Sequence, residues 1–296
     1  MSSVILITGA ATGIGNLTAR ALATAGHTVY ASMRDPDGRN AAHAQELLDL
    51  ARNHEVDIRV VVLDVQSQES ADKAVQTIIG DAGQLDVVVH NAGHLYVGYV
   101  EAFTADDVAR LFDINTTGVQ RVNRSALPHM RSRRSGTLVY VGSTTTVVVP
   151  PFLGPYAASK AAFDALAQMT AYEVSQFGIE TTIVMPGPFT QGTEHFLNAS
   201  HASDMETAKA YAVLDPLVAR NEEAAARLFR PDVDADPVTV ADEITRILAL
   251  PAGTRPFRTV VDFTDSGVEE VNRLMRQAQE SFVTRLGFGQ LLDLQK

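Results

Sequence analysis

The chain has 296 residues, of which 46% are hydrophobic and 20% are charged, and this balance is typical of a globular enzyme with a substantial core. Its 35 acidic and 24 basic residues give a formal net charge of −11, which argues against nucleic acid or an anionic membrane as a partner. It contains no cysteine, so disulfides, thiolate metal sites and thiol nucleophiles are excluded.

The first predicted element is a strand, Val4-Ile5-Leu6-Ile7, which begins almost at the amino terminus. No secretory signal precedes it and no apolar run of the chain has membrane-spanning length, so a cytoplasmic protein without a membrane partner is expected. A continuous apolar run with β-branched residues is typical of a strand that is covered on both faces of a parallel sheet.

A glycine-rich turn, Thr8 to Gly15, follows this strand and precedes a helix. Glycines at such a turn let the backbone approach a pyrophosphate, and the helix N-terminus supplies N–H groups. A tight structural turn is the alternative. We predict a dinucleotide site whose residues in the turn are Gly9, Thr12, Gly13, Ile14 and Gly15.

The second predicted strand, 28–32, leads to Arg34, where a site for NAD would carry an acidic residue that binds the ribose hydroxyls. A guanidinium at this position can pair with a 2′-phosphate instead, which favours NADP(H). The alternative is a solvated arginine beside Asp35 and Asp37, and NAD(H) then remains possible as the cofactor.

Predicted helices and strands alternate from here, which is the pattern of βαβ units and predicts an α/β fold with a doubly wound, mainly parallel sheet. Two strands, 58–63 and 85–89, each end in polar or glycine-containing sequence. Ligands of such sheets lie at the carboxyl ends of the strands. Five more cofactor-binding residues are therefore expected there, namely Asp64, Val65, Asn91, Ala92 and Gly93.

Two polar residues follow at comparable points of the pattern. Asn115 lies near the middle of a helix predicted over about 104–131, where asparagine often marks a kink or a water-binding point. Ser143 follows the strand 137–141, and its hydroxyl can reach the same reacting atom as Tyr156, thirteen residues later. No Gly-x-Ser-x-Gly pattern surrounds Ser143, which argues against a hydrolase nucleophile.

Tyr156 and Lys160 begin a helix predicted over about 155–177, with Pro155 in its first turn and Gly178 after its end. Their spacing places both side chains on one helical face. An ammonium near a phenol favours the phenolate, so Lys160 is expected to lower the pKa of Tyr156 into the range of acid/base work. An ordinary amphipathic pair is the alternative.

The strand 179–185 leads to a rigid turn containing Pro186, Gly187 and Thr190 that can press against a flat ring. Residues 191–236 then break the regular spacing, with helix-like stretches around 203–214 and 216–229. We interpret this insertion as a mobile lid over the substrate, a peripheral excursion being the alternative. A strand at 257–261 and a helix at 267–286 follow, so 262–296 is expected to form a C-terminal helical extension of one NAD(P)-binding domain spanning 1–296.

The expected substrate pocket, between residues 147–153 and the insertion, is mostly apolar, which favours a hydrophobic ketone, aldehyde or alcohol. Its candidate contacts are His94, Tyr96, Val147, Phe152, His195 and Phe196, with ordinary loop residues as the alternative for the first two. None of the eight histidines shows metal-ligand spacing beside carboxylates, so no metal is expected.

Taken together, these residues make the chain resemble the short-chain dehydrogenase/reductase family, in its short-subunit branch. The resemblance extends to about residue 261, and it includes a likeness to the hydroxysteroid and retinol dehydrogenases. It rests on the turn at 8–15, Asp64, Asn91-Ala92-Gly93, Asn115, Ser143, Tyr156-x-x-x-Lys160 and Pro186-Gly187 with Thr190. His90 departs from the family, which often has asparagine there, and this change is expected to alter a packing hydrogen bond only.

The resemblance implies a three-layer Rossmann fold of about seven strands and a catalytic tetrad. In that tetrad Tyr156 is the general acid/base and Lys160 lowers its pKa and holds the nicotinamide ribose. Ser143 polarises the carbonyl and Asn115 fixes a proton-relay water. The resemblance also implies that the turn at 186–190 seats the nicotinamide and that a homodimer or homotetramer forms.

The sequence thus predicts an NADP(H)-dependent oxidoreductase that interconverts a carbonyl and an alcohol on a small hydrophobic molecule. A catalytically silent NADP(H)-sensing protein on the same fold is the first alternative, and the complete tetrad argues against it. A lyase or epimerase is the second, and the presence of Lys160 argues against that one.

Overall fold

The computed structural model describes residues 2–231 and 233–295. Within them, a sheet of seven parallel strands has the order β3-β2-β1-β4-β5-β6-β7. The strands are β1 (Val4–Ile7), β2 (Thr28–Met33), β3 (Ile58–Val62), β4 (Val87–His90), β5 (Gly136–Val141), β6 (Ile179–Pro186) and β7 (Arg258–Val261). The strand order reverses between β1 and β4, the point at which ligands of doubly wound sheets bind. The predicted fold class is confirmed.

Helices cover both faces of this sheet. They are α1 (Gly13–Thr24), α2 (Ala41–His54), α3 (Gln68–Ala82), α4 (Ala105–Phe112), α5 (Gly118–Arg133), α6 (Gly154–Val174), α7 (Met205–Ala210), α8 (Asp215–Val218), α9 (Asn221–Ala226), α10 (Val238–Ala249) and α11 (Val268–Arg285). None of these helices, within the residues described, has both the length and the apolar character needed to cross a bilayer.

The two faces of the sheet belong to two separate apolar clusters. Leu6 and Val88 pack with α3, α5 and α6, whereas their neighbours Ile7 and Val89 pack with α1, α2 and α10. Side chains alternate across a strand, and here both faces are covered. This double burial explains why the strands read as continuous apolar runs rather than alternating ones.

The helix predicted over 104–131 is two helices, α4 and α5, joined by a π turn at 113–117. Asn115 lies within this turn, which confirms the expected irregularity. Because a π turn holds an extra residue, two adjacent side chains reach α6. Asn115 Nδ2 donates to Ser159 Oγ at 2.9 Å, and Thr116 Oγ1 donates to the Ser159 carbonyl at 3.0 Å.

The insertion after β6 is more broken than the sequence indicates. The two stretches predicted at 203–214 and 216–229 are three short helices, α7 to α9, with a 3-10 turn at 212–214. Pro216 lies at the start of α8, where its ring prevents the preceding helix from continuing. None of the residues of α7, α8 and α9 is buried, so little apolar packing is available to lengthen them.

The C-terminal extension consists of α11 and a 3-10 turn at 289–292 that returns to the end of α6. Ser175, just beyond α6, donates its hydroxyl to the Leu291 carbonyl at 3.1 Å. Its own carbonyl accepts a hydrogen bond from the N–H of Gln295 at 2.9 Å. The end of the extension is therefore attached to the helix that carries Tyr156.

Candidate active site

A large cavity opens at the carboxyl ends of the strands, where β1 and β4 diverge. Its volume is about 1620 Å³, which exceeds the ~300–1,000 Å³ of an ordinary small-molecule site. The turn after β1 and the segment after β2 line one end, and the first turns of α6 together with residues around α9 line the other. The cavity therefore has room for two ligands side by side.

The turn after β1 has the backbone that a phosphate site requires. Gly9 and Gly13 have φ angles of +67° and +57°, a region that favours glycine. Thr12 is the N-cap of α1, but its side chain makes no capping hydrogen bond, so the amides of the first helical turn have no side-chain partner. Thr12, Gly13 and Ile14 line the cavity. These N–H groups and the glycine geometry fit a pyrophosphate.

Gly15, which was predicted to contact the cofactor, has a structural role in the turn. It does not belong to the cavity wall, and a Cβ at this position would collide with Asn91 Nδ2 and the Gly9 carbonyl. Asn91 donates through Nδ2 to the carbonyls of Thr8 and Gly9, both at 3.0 Å. Gly15 thus allows Asn91 to tie the end of β4 to the glycine turn, while Asn91, Ala92 and Gly93 themselves line the cavity.

Arg34 lies at the end of β2, is exposed and lines the cavity. Arg39, which the sequence analysis missed, lines the same end. The ion pairs found among residues 2–231 and 233–295 include neither arginine, and the exposed position of Arg34 also fits the alternative of a solvated arginine beside Asp35 and Asp37. The Asp35 carboxylate accepts a hydrogen bond from the backbone N–H of Arg39 at 3.0 Å. Two guanidinium groups therefore line the end of the cavity formed by the turn after β1 and the segment after β2.

Of the other residues predicted to bind the cofactor, those after β3 and two of the three after β6 line the cavity. Asp64 and Val65 line the cavity after β3, and Asp64 Oδ1 accepts a hydrogen bond from the N–H of Gln66 at 3.0 Å. Pro186 and Gly187 line it after β6, but Thr190 does not. Phe189 and Thr193 line the cavity in that region instead.

Tyr156 and Lys160 lie on the buried face of α6, with 7% and 6% of their surfaces exposed. Burial raises the pKa of Tyr156 to about 12, and the Ser143 hydroxyl acts in the opposite direction. Burial also lowers the pKa of Lys160 to about 8. Lys160 Nζ donates to the Val141 carbonyl at 2.9 Å and lies 4.8 Å from the centre of the Phe163 ring.

The expectation that Lys160 brings the pKa of Tyr156 down into the range of acid/base work is not met, because that pKa is raised to about 12. Desolvation is the larger effect, because both groups lie away from water and the ammonium is already bound to the Val141 carbonyl. Tyr156 is protonated at neutral pH. It is ready to donate a proton, whereas acceptance of a proton requires that the phenolate forms first.

Asn115 does not line the cavity but positions a segment that does. Its Oδ1 accepts a hydrogen bond from the N–H of His94 at 2.8 Å, and its Nδ2 donates to the His94 carbonyl at 3.0 Å and to Ser159 Oγ. Both side-chain N–H bonds are thus used within the protein. The amide joins the segment after β4 to α6, and the predicted role of Asn115 in fixing a proton-relay water stays a prediction.

Ser143 follows β5 and has 7% of its surface exposed. Its Oγ accepts two hydrogen bonds from one residue, from the N–H of Thr145 at 3.2 Å and from the Thr145 hydroxyl at 2.9 Å. Thr145 lines the cavity and was missed by the sequence analysis, since nothing in the spacing of the motif singles it out. Its position two residues after Ser143, within the run Thr144-Thr145-Thr146, is the only signal that the sequence offers.

Four of the six predicted substrate contacts line the cavity: His94, Phe152, His195 and Phe196. Tyr96 does not, because its ring is buried and stacks on Phe103 with centroids 5.4 Å apart. Val147 packs against the core instead. These two expectations are corrected by the structure.

Two histidines stand near the phenol. The His195 ring meets the Tyr156 ring edge-on at 5.6 Å, and burial lowers the pKa of His195 to about 4. Burial also lowers the pKa of His94, whose Nε2 lies 2.7 Å from Ser200 Oγ. Both imidazoles are neutral at neutral pH, so they add polar groups but no charge beside Tyr156 and Lys160.

His90 makes a packing hydrogen bond in the core. Its Nε2 lies 2.9 Å from Asn123 Oδ1, and its ring stacks on Tyr140 with centroids 4.7 Å apart. Complete burial lowers its pKa to about 4. The residue is a neutral part of the core behind the site.

The insertion after β6 lines the Tyr156 end of the cavity and is joined to the rest of the chain by several hydrogen bonds, among them two from Ser203 to the Asp107 carboxylate. Leu217, Leu228 and residues of α9 line the cavity. Asn221 Nδ2 donates to the Pro151 carbonyl at 3.3 Å. Tyr99 donates its hydroxyl to Asp215 Oδ1 at 2.6 Å and stacks on Tyr211 with centroids 5.0 Å apart.

Residues 3–202 match the family model described as short chain dehydrogenase. A 3-ketodihydrosphingosine reductase of Bacteroides thetaiotaomicron is 34% identical over 189 residues, which is 64% of this chain and 65% of the relative. The human 17-beta-hydroxysteroid dehydrogenase type 1 is 34% identical over 191 residues, 63% of this chain and 56% of the relative. The matched region thus spans less than two thirds of the length of these curated relatives.

One solved structure is similar along nearly the whole chain. A short-chain dehydrogenase from Streptomyces avermitilis superposes with a TM-score of 0.75 at 26% identity, and the match covers 98% of both chains. The region beyond residue 202, outside the family model, therefore also has a counterpart of known structure.

Proposed function

The chain belongs to the short-chain dehydrogenase family, and from this premise we propose that it is an NADP(H)-dependent oxidoreductase that interconverts a carbonyl group and an alcohol. The observation that carries the proposal is the arrangement within one cavity of two chemically different ends. Ser143, Tyr156 and Lys160 meet at one end, and the glycine turn and Arg34 line the other.

Three groups of residues support the proposed placement of the cofactor in the cavity. The amides at the start of α1 would bind the pyrophosphate, Arg34 with Arg39 would bind a 2′-phosphate, and the segment from Pro186 to Phe189 would hold the nicotinamide. When bound, NADP(H) supplies or accepts the hydride. The presence of two guanidinium groups, with no acidic ion-pair partner among the described residues, is what favours NADP(H) over NAD(H).

Tyr156 acts as the general acid in the reducing direction. Because its pKa is raised to about 12, it holds its proton at neutral pH and donates it to the carbonyl oxygen as negative charge develops there. Ser143 donates a hydrogen bond to the same oxygen and stabilises the charge. Lys160 lies one helical turn further on, and its ammonium compensates the negative charge that remains on Tyr156. In the oxidising direction Tyr156 accepts the proton of the alcohol.

The substrate is a small hydrophobic ketone, aldehyde or alcohol in this proposal. Phe152 and Phe196 line the Tyr156 end, and Leu217 and Leu228 line the insertion across from them. In this proposal residues 191–236 act as a lid over the substrate. Residues 1–296 form one NAD(P)-binding domain, which includes the C-terminal helical extension. The relatives named above act, by their names, on a ketodihydrosphingosine and a hydroxysteroid, which supports a hydrophobic substrate class.

A homodimer or homotetramer in the cytoplasm belongs to the same proposal. Ala158, Ala161 and Ala165 form an exposed face of small side chains on α6, which permits a second helix to approach closely. Size-exclusion chromatography with light scattering measures this directly, and a monomer would contradict it.

The test is the oxidation of NADPH, followed at its absorbance band, over a panel of aldehydes, aromatic ketones and polycyclic ketones. We expect turnover with at least one hydrophobic carbonyl. In the Tyr156→Phe variant we expect loss of turnover with unchanged NADPH binding, because only the proton donor is removed. Full activity in that variant would overturn the assignment. Silence of the wild-type protein across the panel, with NADPH bound, would instead support a cofactor sensor.

A further inference from the structure

We propose that Thr145 is a positioning residue that fixes the direction of the Ser143 hydroxyl, so that Ser143 acts only as a hydrogen-bond donor toward the substrate oxygen. This inference rests on the proposed function, since it describes how one group of that site is prepared for the reaction.

Thr145 makes two contacts with the side chain of Ser143. Its backbone N–H lies 3.2 Å and its hydroxyl oxygen lies 2.9 Å from Ser143 Oγ. Both contacts come from one residue of the 3-10 turn at 144–146, which Ser143 caps. Ser143 has an extended backbone, with φ of −167°, which turns its side chain toward that residue. The hydroxyl is therefore held by a short, rigid segment.

A serine hydroxyl has one proton to donate and two lone pairs that can accept. The N–H and the O–H of Thr145 occupy both lone pairs of Ser143 Oγ. The proton of Ser143 is the one function of the group that remains, and it points away from Thr145. The cavity, which both residues line, lies on that side.

This arrangement has a consequence for Tyr156. If Ser143 could accept, the phenolic proton of Tyr156 would be held on Ser143 rather than offered to the substrate. With both lone pairs occupied, Ser143 cannot accept it, and the two hydroxyls converge on the carbonyl oxygen as two donors. Two accepted hydrogen bonds also polarise the Ser143 O–H bond and strengthen the bond it donates.

The neighbouring residue Thr146 distinguishes a specific effect on the Ser143 hydroxyl from a general effect on the stability of the turn. Thr146 donates its hydroxyl to the backbone carbonyl of Ser143 at 3.0 Å, so it contacts the same residue but not the reactive oxygen. Thr146 does not line the cavity. It is the matched control for the loss of one threonine hydroxyl from the same turn.

The experiment compares Thr145→Val, Thr145→Ser and Thr146→Val in carbonyl reduction at saturating NADPH. Valine has nearly the shape of threonine and keeps the backbone N–H bond, but it leaves one lone pair of Ser143 open. We expect kcat to fall about tenfold in Thr145→Val, with KM changed little. Thr145→Ser, which retains the hydroxyl, and Thr146→Val should stay within about twofold of the wild type.

A double-mutant cycle then shows whether Thr145 acts through Ser143. In a Ser143→Ala background there is no hydroxyl to orient, so Thr145→Val should cost nothing further in kcat. The residual activity of Ser143→Ala is measurable because removal of one oxyanion donor costs about 10²–10³ in kcat.

The possible outcomes are distinct. If Thr145→Val lowers kcat equally in the wild-type and Ser143→Ala backgrounds, Thr145 has a structural role and the proposal is wrong. The proposal is also wrong if Thr145→Val keeps the wild-type kcat, or if Thr145→Ser does not retain it. If the wild-type protein reduces ketones and Thr145→Val has the same kcat, the proposal about Thr145 is wrong but the proposed function stands. A wild-type protein without turnover overturns both.

Discussion

The Asp164 carboxylate on α6 binds both terminal nitrogens of Arg258 on β7, with Oδ1–Nη1 at 2.5 Å and Oδ2–Nη2 at 2.9 Å. The two side chains are only 9% and 15% exposed. This pair joins the helix that carries Tyr156 and Lys160 to the edge strand of the sheet. The orientation of the helix that carries Tyr156 therefore depends partly on a shielded ion pair, one helical turn beyond Lys160 on its buried face.

Asp164→Asn should destabilise the fold, because it leaves a largely buried guanidinium without its counter-charge. We expect a loss of about 3 kcal/mol in the free energy of unfolding, as is usual when one partner of a buried pair is removed. Urea denaturation measures it. Asp81→Asn, an exposed aspartate on α3, is the control and should change stability by less than about 0.5 kcal/mol. Equal stability of the two variants would show that the pair contributes nothing.

Replacing Arg34 or Arg39 by alanine should weaken NADPH binding and leave NADH binding nearly unchanged, because only NADPH carries the 2′-phosphate. A charge-assisted contact of this kind is worth about tenfold or more in Kd. Fluorescence titration with both cofactors measures the change. Arg52→Ala removes an exposed arginine that pairs with Asp49 on α2, and it should affect neither cofactor. If NADPH and NADH weakened equally, the arginines would not read the phosphate.

The rate of carbonyl reduction should fall as the pH rises through about 8. Below the Lys160 pKa of about 8 the ammonium is charged and compensates the negative charge left on Tyr156; above it that charge is lost. Tyr156 itself remains protonated across this range because its pKa is about 12. A profile of kcat at saturating NADPH reports these groups in the bound enzyme. A flat or rising profile between about pH 6 and pH 10 would contradict the assignment.

Asn115→Ala should cost more stability than Thr116→Val, its neighbour in the π turn. Asn115 supplies two hydrogen bonds to the backbone of His94 and one to Ser159, whereas Thr116 supplies one to Ser159. Each buried group left without a partner costs about 1–3 kcal/mol. We expect differences in the urea midpoint in that order, with a larger loss of kcat in Asn115→Ala. Equal losses would mean that the bonds to His94 add nothing to stability.

The doubly wound parallel sheet and the position of the site could be predicted because they follow from local patterns. Buried strands alternate with helices, and the polar residues at the strand ends are brought together by topology alone. The direction of a loop side chain has no such pattern. Tyr96 turns into the core while His94, two residues earlier, faces the cavity.

Two further properties needed the folded environment. The pKa of Tyr156 depends on how much water reaches it, and a spacing of four residues to Lys160 does not contain that information. The contribution of Thr145 depends on a side-chain rotamer in a 3-10 turn. Arg39 was missed for a related reason, because the loop before α2 folds back toward the end of β2 through the Asp35 carboxylate.

The π turn between α4 and α5 makes the site sensitive to chain length as well as to residue type. A substitution within 113–117 leaves the number of residues in the turn unchanged, whereas deletion of one residue would convert it to an ordinary α turn. The helix after the turn would keep its place, but Asn115 and Thr116 would no longer both reach Ser159, because successive side chains of an α-helix lie about 100° apart around its axis. The number of residues between α4 and α5 is thus a property of the site that no single substitution changes.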